Sequence, residues 1–443
     1  MDFLLAEKSG SRAAVALWRH PAGWFREKKL SRGFWTFFAA AFFFDAGFSV
    51  YFFLFNLYLL DFHFNERAIG LVNGALTLGA LVGTLPVGVL GRRIGLRPLL
   101  LFVFVAAPLV GVARACWMWE PAQIGLAFLA GLVMCNWGVS FLPAVAGLTT
   151  EANRTSAISL IFSVGVGTSA LGGAICGYLP QWLRIAGFAM QPAEVKRLIL
   201  LASCAIAAAG FFPALRLPLR APSKNAENAA VVSWKGAEWR RSLKLNAFLW
   251  RFLPCMALWS AVLAAFNPFA NVYLSRDLHI PLSRIGLIFS IAQLVQLIAG
   301  LLLPLIVRAL GMVNGIVATQ LATALALALL ATAHHEGLAV VIYLTFSAAQ
   351  WMSSPGLYNL LMNETPEGER STAAGMTMFS NALASSATTA AAGILLTRFG
   401  YSPVLLGIAG FAMTIALLCR ILMAPRPQSG SAQPQIATGA VTD

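Results

Sequence analysis

The chain has 443 residues, of which 59% are hydrophobic and only 11% charged, with a formal net charge of +14. A soluble globular chain carries roughly 25% charged residues, so this composition excludes a water-soluble enzyme or binding domain and points to an all-α membrane protein. Clustered, the basic excess would suit nucleic acid; spread over the loops between apolar segments, it argues against that partner.

In chain order, residues 1–32 form a basic leader mixing Trp18, Trp24 and Phe25 with Arg12, Arg19, Arg26, Lys28 and Lys29. Such a segment suits either the surface of an anionic leaflet or a solvated leader that sets topology. No short apolar segment with a small-residue cleavage site precedes Gly33, so the first span is expected to stay in the mature protein. Six spans are expected in residues 33–215: Gly33–Leu60, Ala68–Leu90, Pro98–Ala115, Pro121–Leu148, Thr155–Leu179 and Leu198–Leu215. Each approaches the length of about 20 residues that crosses a hydrocarbon core. In residues 216–246 hydrophobicity collapses into a Pro-, Ser-, Asn- and Lys/Arg-rich linker. Residues 247–423 hold six more: Ala247–Leu274, Ser283–Val307, Met312–Ala333, Gly337–Leu361, Ser371–Thr397 and Ser402–Leu422. Residues 424–443 read as a disordered tail rich in Gln, Ser, Gly and Pro.

Of the 31 Lys and Arg, 22 fall on the side of the N-terminus and 8 on the other. By the positive-inside rule both termini and the linker are cytoplasmic, in a cytoplasmic (inner) membrane. The six cysteines lie in or beside apolar segments without metal-ligand spacing, and neither a metal site nor a cofactor is expected. His63, His279, His334 and His335 fall in outer loops, where solvation is the ordinary account, and the pair His334 and His335 is a weak metal signal.

The two sets of six spans repeat one another. IGLVNGALTLGALVGTLPVGVLGRRIG from Ile69 to Gly95 answers to IGLIFSIAQLVQLIAGLLLPLIVRALG from Ile285 to Gly311, an offset of 216 residues. Glu151 and Arg154 answer to Glu367 and Arg370 at the same offset, and Asn56 to Asn271 at 215. Tandem related halves mark a transporter built from repeats, with its binding site between them.

After the second span the chain reads Gly88-Val-Leu-Gly-Arg92-Arg93-Ile-Gly95-Leu-Arg97-Pro-Leu-Leu100. This resembles the motif of the major facilitator superfamily, Gly-x-Leu-Ala-Asp-Arg-x-Gly-Arg-Lys-x-x-Leu, matching at Gly88, Leu90, Arg93, Gly95, Arg97 and Leu100. Arg92 stands where the family has Asp, and Leu96 where it has its first Arg after the Gly. The resemblance spans nearly the whole chain and implies twelve transmembrane helices in two pseudo-symmetric six-helix bundles. It also implies that helices one, four, seven and ten line a central cavity, and that the motif's Asp joins a network holding the cytoplasmic side closed. With Arg there, two crossed latches are expected: Arg92 or Arg93 with Glu367 or Glu369, and Arg308 with Glu151, Arg154 and Arg370 lying beside the acids. Two antiporter signatures of the family are missing: Met134 stands four residues before Gly138 where drug exporters carry Arg, and the fifth span has no Gly-Pro step.

Asp45 is the ionisable residue farthest from any span end, about 18 Å deep at 1.5 Å per residue. An acid at that depth is by default functional. Three roles are open to it: exchanging a proton, pairing with a substrate cation, or remaining a protonated structural donor. Ser49 and Asn56 follow Asp45 on one helical face, and helix seven repeats the stripe with Ser260, Asn267 and Asn271. Asn136 with Trp137 and Gln350 with Trp351 complete the expected cavity wall. The polar residues of helices two, eight and eleven, Gln293 among them, are read as helix-to-helix bonding. These features specify a secondary active transporter of a small neutral or cationic organic solute, working by alternating access as a monomer, with a proton as the expected coupling ion. An uncoupled facilitator and a non-transporting sensor that keeps the fold are the alternatives. No phosphate-binding Gly-x-x-x-x-Gly-Lys-Ser/Thr loop is present to use ATP.

Overall fold

The computed structural model describes residues 30–185, 187, 191–219, 247–333, 335–365 and 370–423. The leader, most of the linker, the tail, His334, Glu367 and Glu369 lie outside them. Among the described residues there are twelve long helices and no strand. They are α1 (Arg32–Asp61), α2 (Glu66–Ile94), α3 (Leu96–Cys116), α4 (Glu120–Leu148), α5 (Glu151–Ile185), α6 (Pro192–Ala209), α7a with α7b (Ala247–Phe266 and Ala270–Arg276), α8 (Leu282–Leu310), α9 (Met312–Thr332), α10 (Glu336–Glu364), α11 (Arg370–Phe399) and α12 (Tyr401–Met423). Eleven are both long and apolar enough to cross a bilayer. The other, α10, has 29 residues and reaches the length but carries Ser347, Gln350, Ser353, Ser354, Asn359 and Asn363 along it.

Two helices depart from the sequence reading. The seventh span, expected as one piece, breaks into a 3-10 turn at Asn267–Phe269. Pro268 explains it: proline has no N–H for the ladder, and its ring clashes with the carbonyl four residues back. The fifth span extends to 35 residues, well beyond Thr155–Leu179 at both ends.

The same helix pairs pack in both halves. In the first, α1 meets α5 and α6, α2 meets α4, and α3 meets α4 and α6; in the second, α7a meets α11 and α12, α8 meets α10, and α9 meets α10 and α12. Across the halves, α2 packs on α11 and α5 on α8. Gly95 and Gly311 end the repeated segments in one shared turn, at φ 89° and 81°, each N–H closing on the carbonyl four residues back. That backbone region suits glycine, which has no Cβ to clash. With twelve antiparallel spans, Arg32 and Met423 share one face of the molecule, the terminal face; the opposite face is called distal.

Candidate transport site

The halves meet through hydrogen bonds that lie toward the distal face. The Asn56 amide donates to the Pro268 carbonyl at 2.8 Å and the Asn271 amide to the Phe53 carbonyl at 2.9 Å. The Arg67 N–H donates to the Thr397 hydroxyl at 2.8 Å, and the Gln181 amide to the Ser283 hydroxyl at 3.2 Å. Ser386 donates to the Gly74 carbonyl, and Ser290 to that of Ala170. Gly70 lies against Gly393 and Gly286 against Gly177, so close that a Cβ would strike backbone. Each contact in these four sets maps onto its fellow by the repeat offset of 215 or 216 residues. The sequence repeat is therefore also a physical pseudo-twofold, expressed as backbone-level contact at the distal face. One ion pair stands outside the symmetry: Arg276 Nη1 is 3.0 Å from Glu66 Oε1, with the Glu66 side chain 11% exposed.

On the terminal side of this seam the gating helices part. The cross-half hydrogen bonds and the ion pair named above all lie toward the distal face, and on the terminal side Val82, Leu85, Phe162, Leu301, Leu305 and Met378 are exposed. Asp45 lies in this open half, on the wall of a cavity of about 370 Å³ shared by α1, α4, α5 and α8. Trp137, Phe141, Phe162, Ser169 and Gln293 share that wall. The Trp137 side chain stands beside the Asp45 carboxylate on that wall. Its indole is wedged among aromatic rings, stacked on Phe37 at 5.9 Å and tilted against Phe44 at 5.0 Å, Phe104 at 5.7 Å and Phe141 at 5.2 Å. The sequence Phe-Phe-Phe-Asp thus has a local purpose: Phe44 packs inward against the indole that meets the next residue's carboxylate.

The other residues assigned to the cavity take varied places. Asn136, 4% exposed, turns back onto its own helix, donating to the carbonyls of Leu132 and Val133. Ser49 likewise bonds within its helix, to Ala46. Asn56 and Asn271 are not on the open wall: both are buried in the distal seam, where Asn73 also donates to Asn56 at 3.1 Å. Asn267, freed by the break in helix seven, is exposed and donates to Gln350 at 2.9 Å. Trp351 is exposed beside Gln350, while Ser260 is half-buried, its carbonyl 3.5 Å from the Ser385 hydroxyl. Gln293, read from sequence as helix-to-helix glue, stands on the Asp45 cavity wall. Its one signal was its place three residues after Ser290, on the face of α8 that meets α5.

Of the residues expected to latch the terminal face, Arg93 and Arg308 are exposed and Arg154 is half-buried. Arg370 Nε donates to the Thr365 carbonyl at 3.2 Å. Arg92 and Glu151 occupy helical backbone at the ends of α2 and α5. Arg114, the other deep charge, is 4% exposed and sits 4.1 Å over the Phe55 ring, packed between α1 and α3.

A family model described as the Major Facilitator Superfamily matches residues 37–389. The chain belongs to that superfamily. No curated protein matches its sequence. Among solved structures, a mutant of the nucleoside transporter NupG is 16% identical with a TM-score of 0.73, over 88% of this chain and 100% of that one. A D-xylose-proton symporter is 15% identical with a TM-score of 0.67, over 87% and 95%. A bacterial homologue of the iron transporter ferroportin in an inward-facing state is 15% identical with a TM-score of 0.64, over 89% and 98%. At these identities the likeness is one of fold. The superfamily member described here is a multi-pass membrane protein with the architecture of a secondary transporter.

Proposed function

We propose that this protein moves a small neutral or cationic organic solute across the cytoplasmic membrane by alternating access, coupled to protons at Asp45. The observation that carries the reading is the one-sided seam: cross-half bonding at the distal face, with a cavity holding the one deep carboxylate on the open side. A carrier must seal one face while its binding site communicates with the other. The Lys/Arg bias of the loops supports assigning the terminal face to the cytoplasm, which makes this an inward-open state. Asp45 is the coupling group of this reading because it meets water through the cavity here and would lose that contact as the terminal face closes. The Asn267–Gln350 pair, beside Trp351 and Ser260, is assigned to the opposite wall of the solute path.

The test is flux in proteoliposomes. Purified protein should accumulate solute under an imposed pH gradient, and Asp45→Asn should abolish that accumulation. A sensor that kept the fold would bind solute without flux, and an uncoupled facilitator would equilibrate it without responding to the gradient.

A further inference from the structure

We propose that the Asp45 cavity binds a hydrophobic organic cation of single charge, and that this cation and a proton occupy the carboxylate in turn, so that one is exchanged for the other. The inference rests on the carrier reading above and names its substrate class.

The chemistry of the wall carries it. Asp45 is its one ionisable side chain; Ser169, Gln293 and the Trp137 indole are its other polar groups, and the remainder is aromatic, aliphatic or glycine. An anion, or the carboxylate of a zwitterion, finds no cationic partner among the lining residues. A sugar or nucleoside gives up many hydrogen bonds to water and must remake them, because unmade ones are penalised. This wall offers few, and the exposed Asn267 and half-buried Gln350 already bond to each other. A cation with an apolar body matches every part. The carboxylate supplies the counter-charge, the aromatic rings of Trp137, Phe141 and Phe162 that line the cavity are the groups for cation–π attraction, and the other side chains cover the body. The volume, about 370 Å³, lies within the roughly 300–1,000 Å³ of small-molecule sites.

Exchange follows from having a single acid. Among the described residues no charged group from a packed element lines the cavity with Asp45: α4 presents Trp137, α5 Ile161, Gly165, Thr168 and Ser169, and α8 Gln293. A proton on the carboxylate removes the only counter-charge for the cation, and a bound cation takes up the charge that would hold the proton. The balance is Asp45–COOH plus solute cation giving the Asp45 carboxylate–cation pair plus one proton. Both loaded forms carry the same net charge, so the cycle is electroneutral, driven by a pH gradient and indifferent to membrane potential.

The probes are radiolabelled 1-methyl-4-phenylpyridinium, a permanent cation, with 4-phenylpyridine as its neutral analogue above its own pKa, and uridine as a polyhydroxylated solute. In nanodiscs at mildly alkaline pH the cation should bind, and neither of the others should displace it. Asp45→Asn should weaken binding by about tenfold or more, the scale of a lost charge-assisted contact, while Asp45→Glu retains it, and acidification lowers binding in the parent and in Asp45→Glu but not in Asp45→Asn. In proteoliposomes a pH gradient, and not a potassium-diffusion potential, should drive net cation movement. Equal binding by parent and Asp45→Asn, displacement by uridine, or potential-driven movement would overturn the proposal. Cation binding as described without any flux would leave the substrate class standing and remove the carrier reading. Uridine accumulation without cation binding would do the reverse.

Discussion

Asn56 and Asn271 exchange equivalent hydrogen bonds across the interface: each donates to the carbonyl of the residue three before the other, Pro268 at 2.8 Å and Phe53 at 2.9 Å. The arrangement is self-complementary, as at a twofold interface between identical subunits, although a single chain provides both sides. The symmetry sets the first prediction. Asn56→Ala and Asn271→Ala should each loosen the distal seam by about 1 kcal/mol, the net worth of one hydrogen bond, and by similar amounts. Spin labels at the exposed positions Phe62 and His279 should report a larger population of long distances in both variants. A large change in one and none in the other would show that the two bonds are not equivalent.

The glycine contacts make a sharper prediction, because backbone cannot yield as a side chain can. A Cβ on Gly286 meets the carbonyl of Gly173 and the Cα of Gly177. Gly286→Val should disfavour the distal-closed state by about 1–3 kcal/mol, the usual cost of overpacking, and so populate the distal-open one. Gly88, with open space around it, should accept Val without disturbing this conformation. Modification of a cysteine at Gln293 from the terminal side would show both effects: slowed in Gly286→Val and unchanged in Gly88→Val. Equal rates in all three proteins would refute the wedge argument.

The ion pair of Glu66 and Arg276 should be unequal in its two halves. The Arg276 side chain is 52% exposed and can be solvated alone, whereas Glu66 is 11% exposed and cannot. Arg276→Ala therefore leaves a nearly buried carboxylate without its partner and should open the distal seam more than Glu66→Ala, which loses only a partly screened pair worth about 0–1 kcal/mol. Salt should weaken the screened pair itself and leave the difference, which comes from the desolvation of Glu66, largely in place. The same label pair, measured at low and high ionic strength, checks the order; the reverse order would show that Glu66 draws its support from elsewhere.

Much of this was legible in the sequence because the repeat is a geometric statement. Two residues 215 or 216 positions apart must occupy equivalent places, so Gly70 and Gly286, or Ser290 and Gly74, inherit matching environments before any coordinates exist. The depth of Asp45 followed from counting residues at a fixed rise. Helical period, however, tells which face a residue occupies and not what stands opposite. Asn56 and Asp45 lie on one stripe, yet only Asp45 borders the open cavity, because the halves touch at the height of Asn56 and have separated at that of Asp45. That difference belongs to the conformational state, which a sequence does not encode as a single answer. Gln293 was misplaced for the same reason, and the break at Pro268 because an otherwise apolar run concealed it.

The last prediction extends the pseudo-twofold to the face that is open here. Arg92 corresponds to Arg308 and Glu151 to Glu367 at the 216 offset, so among the expected latches, Arg92 or Arg93 with Glu367 or Glu369 and Arg308 with Glu151, the pairing Arg92 with Glu367 is the symmetry mate of Arg308 with Glu151. Arg308 is exposed in this conformation, as a latch residue should be while the terminal face is open. Closing that face would bring each arginine toward the acid of the other half, for about 0–1 kcal/mol per pair if solvent reaches it as at an ordinary surface salt bridge. Reversing one charge, as in Arg308→Glu, replaces attraction with repulsion against Glu151 and should slow transport by disfavouring terminal closure. The swap Arg308→Glu with Glu151→Arg should restore it, since pair energy and not the sign at either position is what matters. Solute flux measured for the two single reversals and the swap decides the point: a swap no better than its worse single variant would leave these residues as ordinary solvated loop charges.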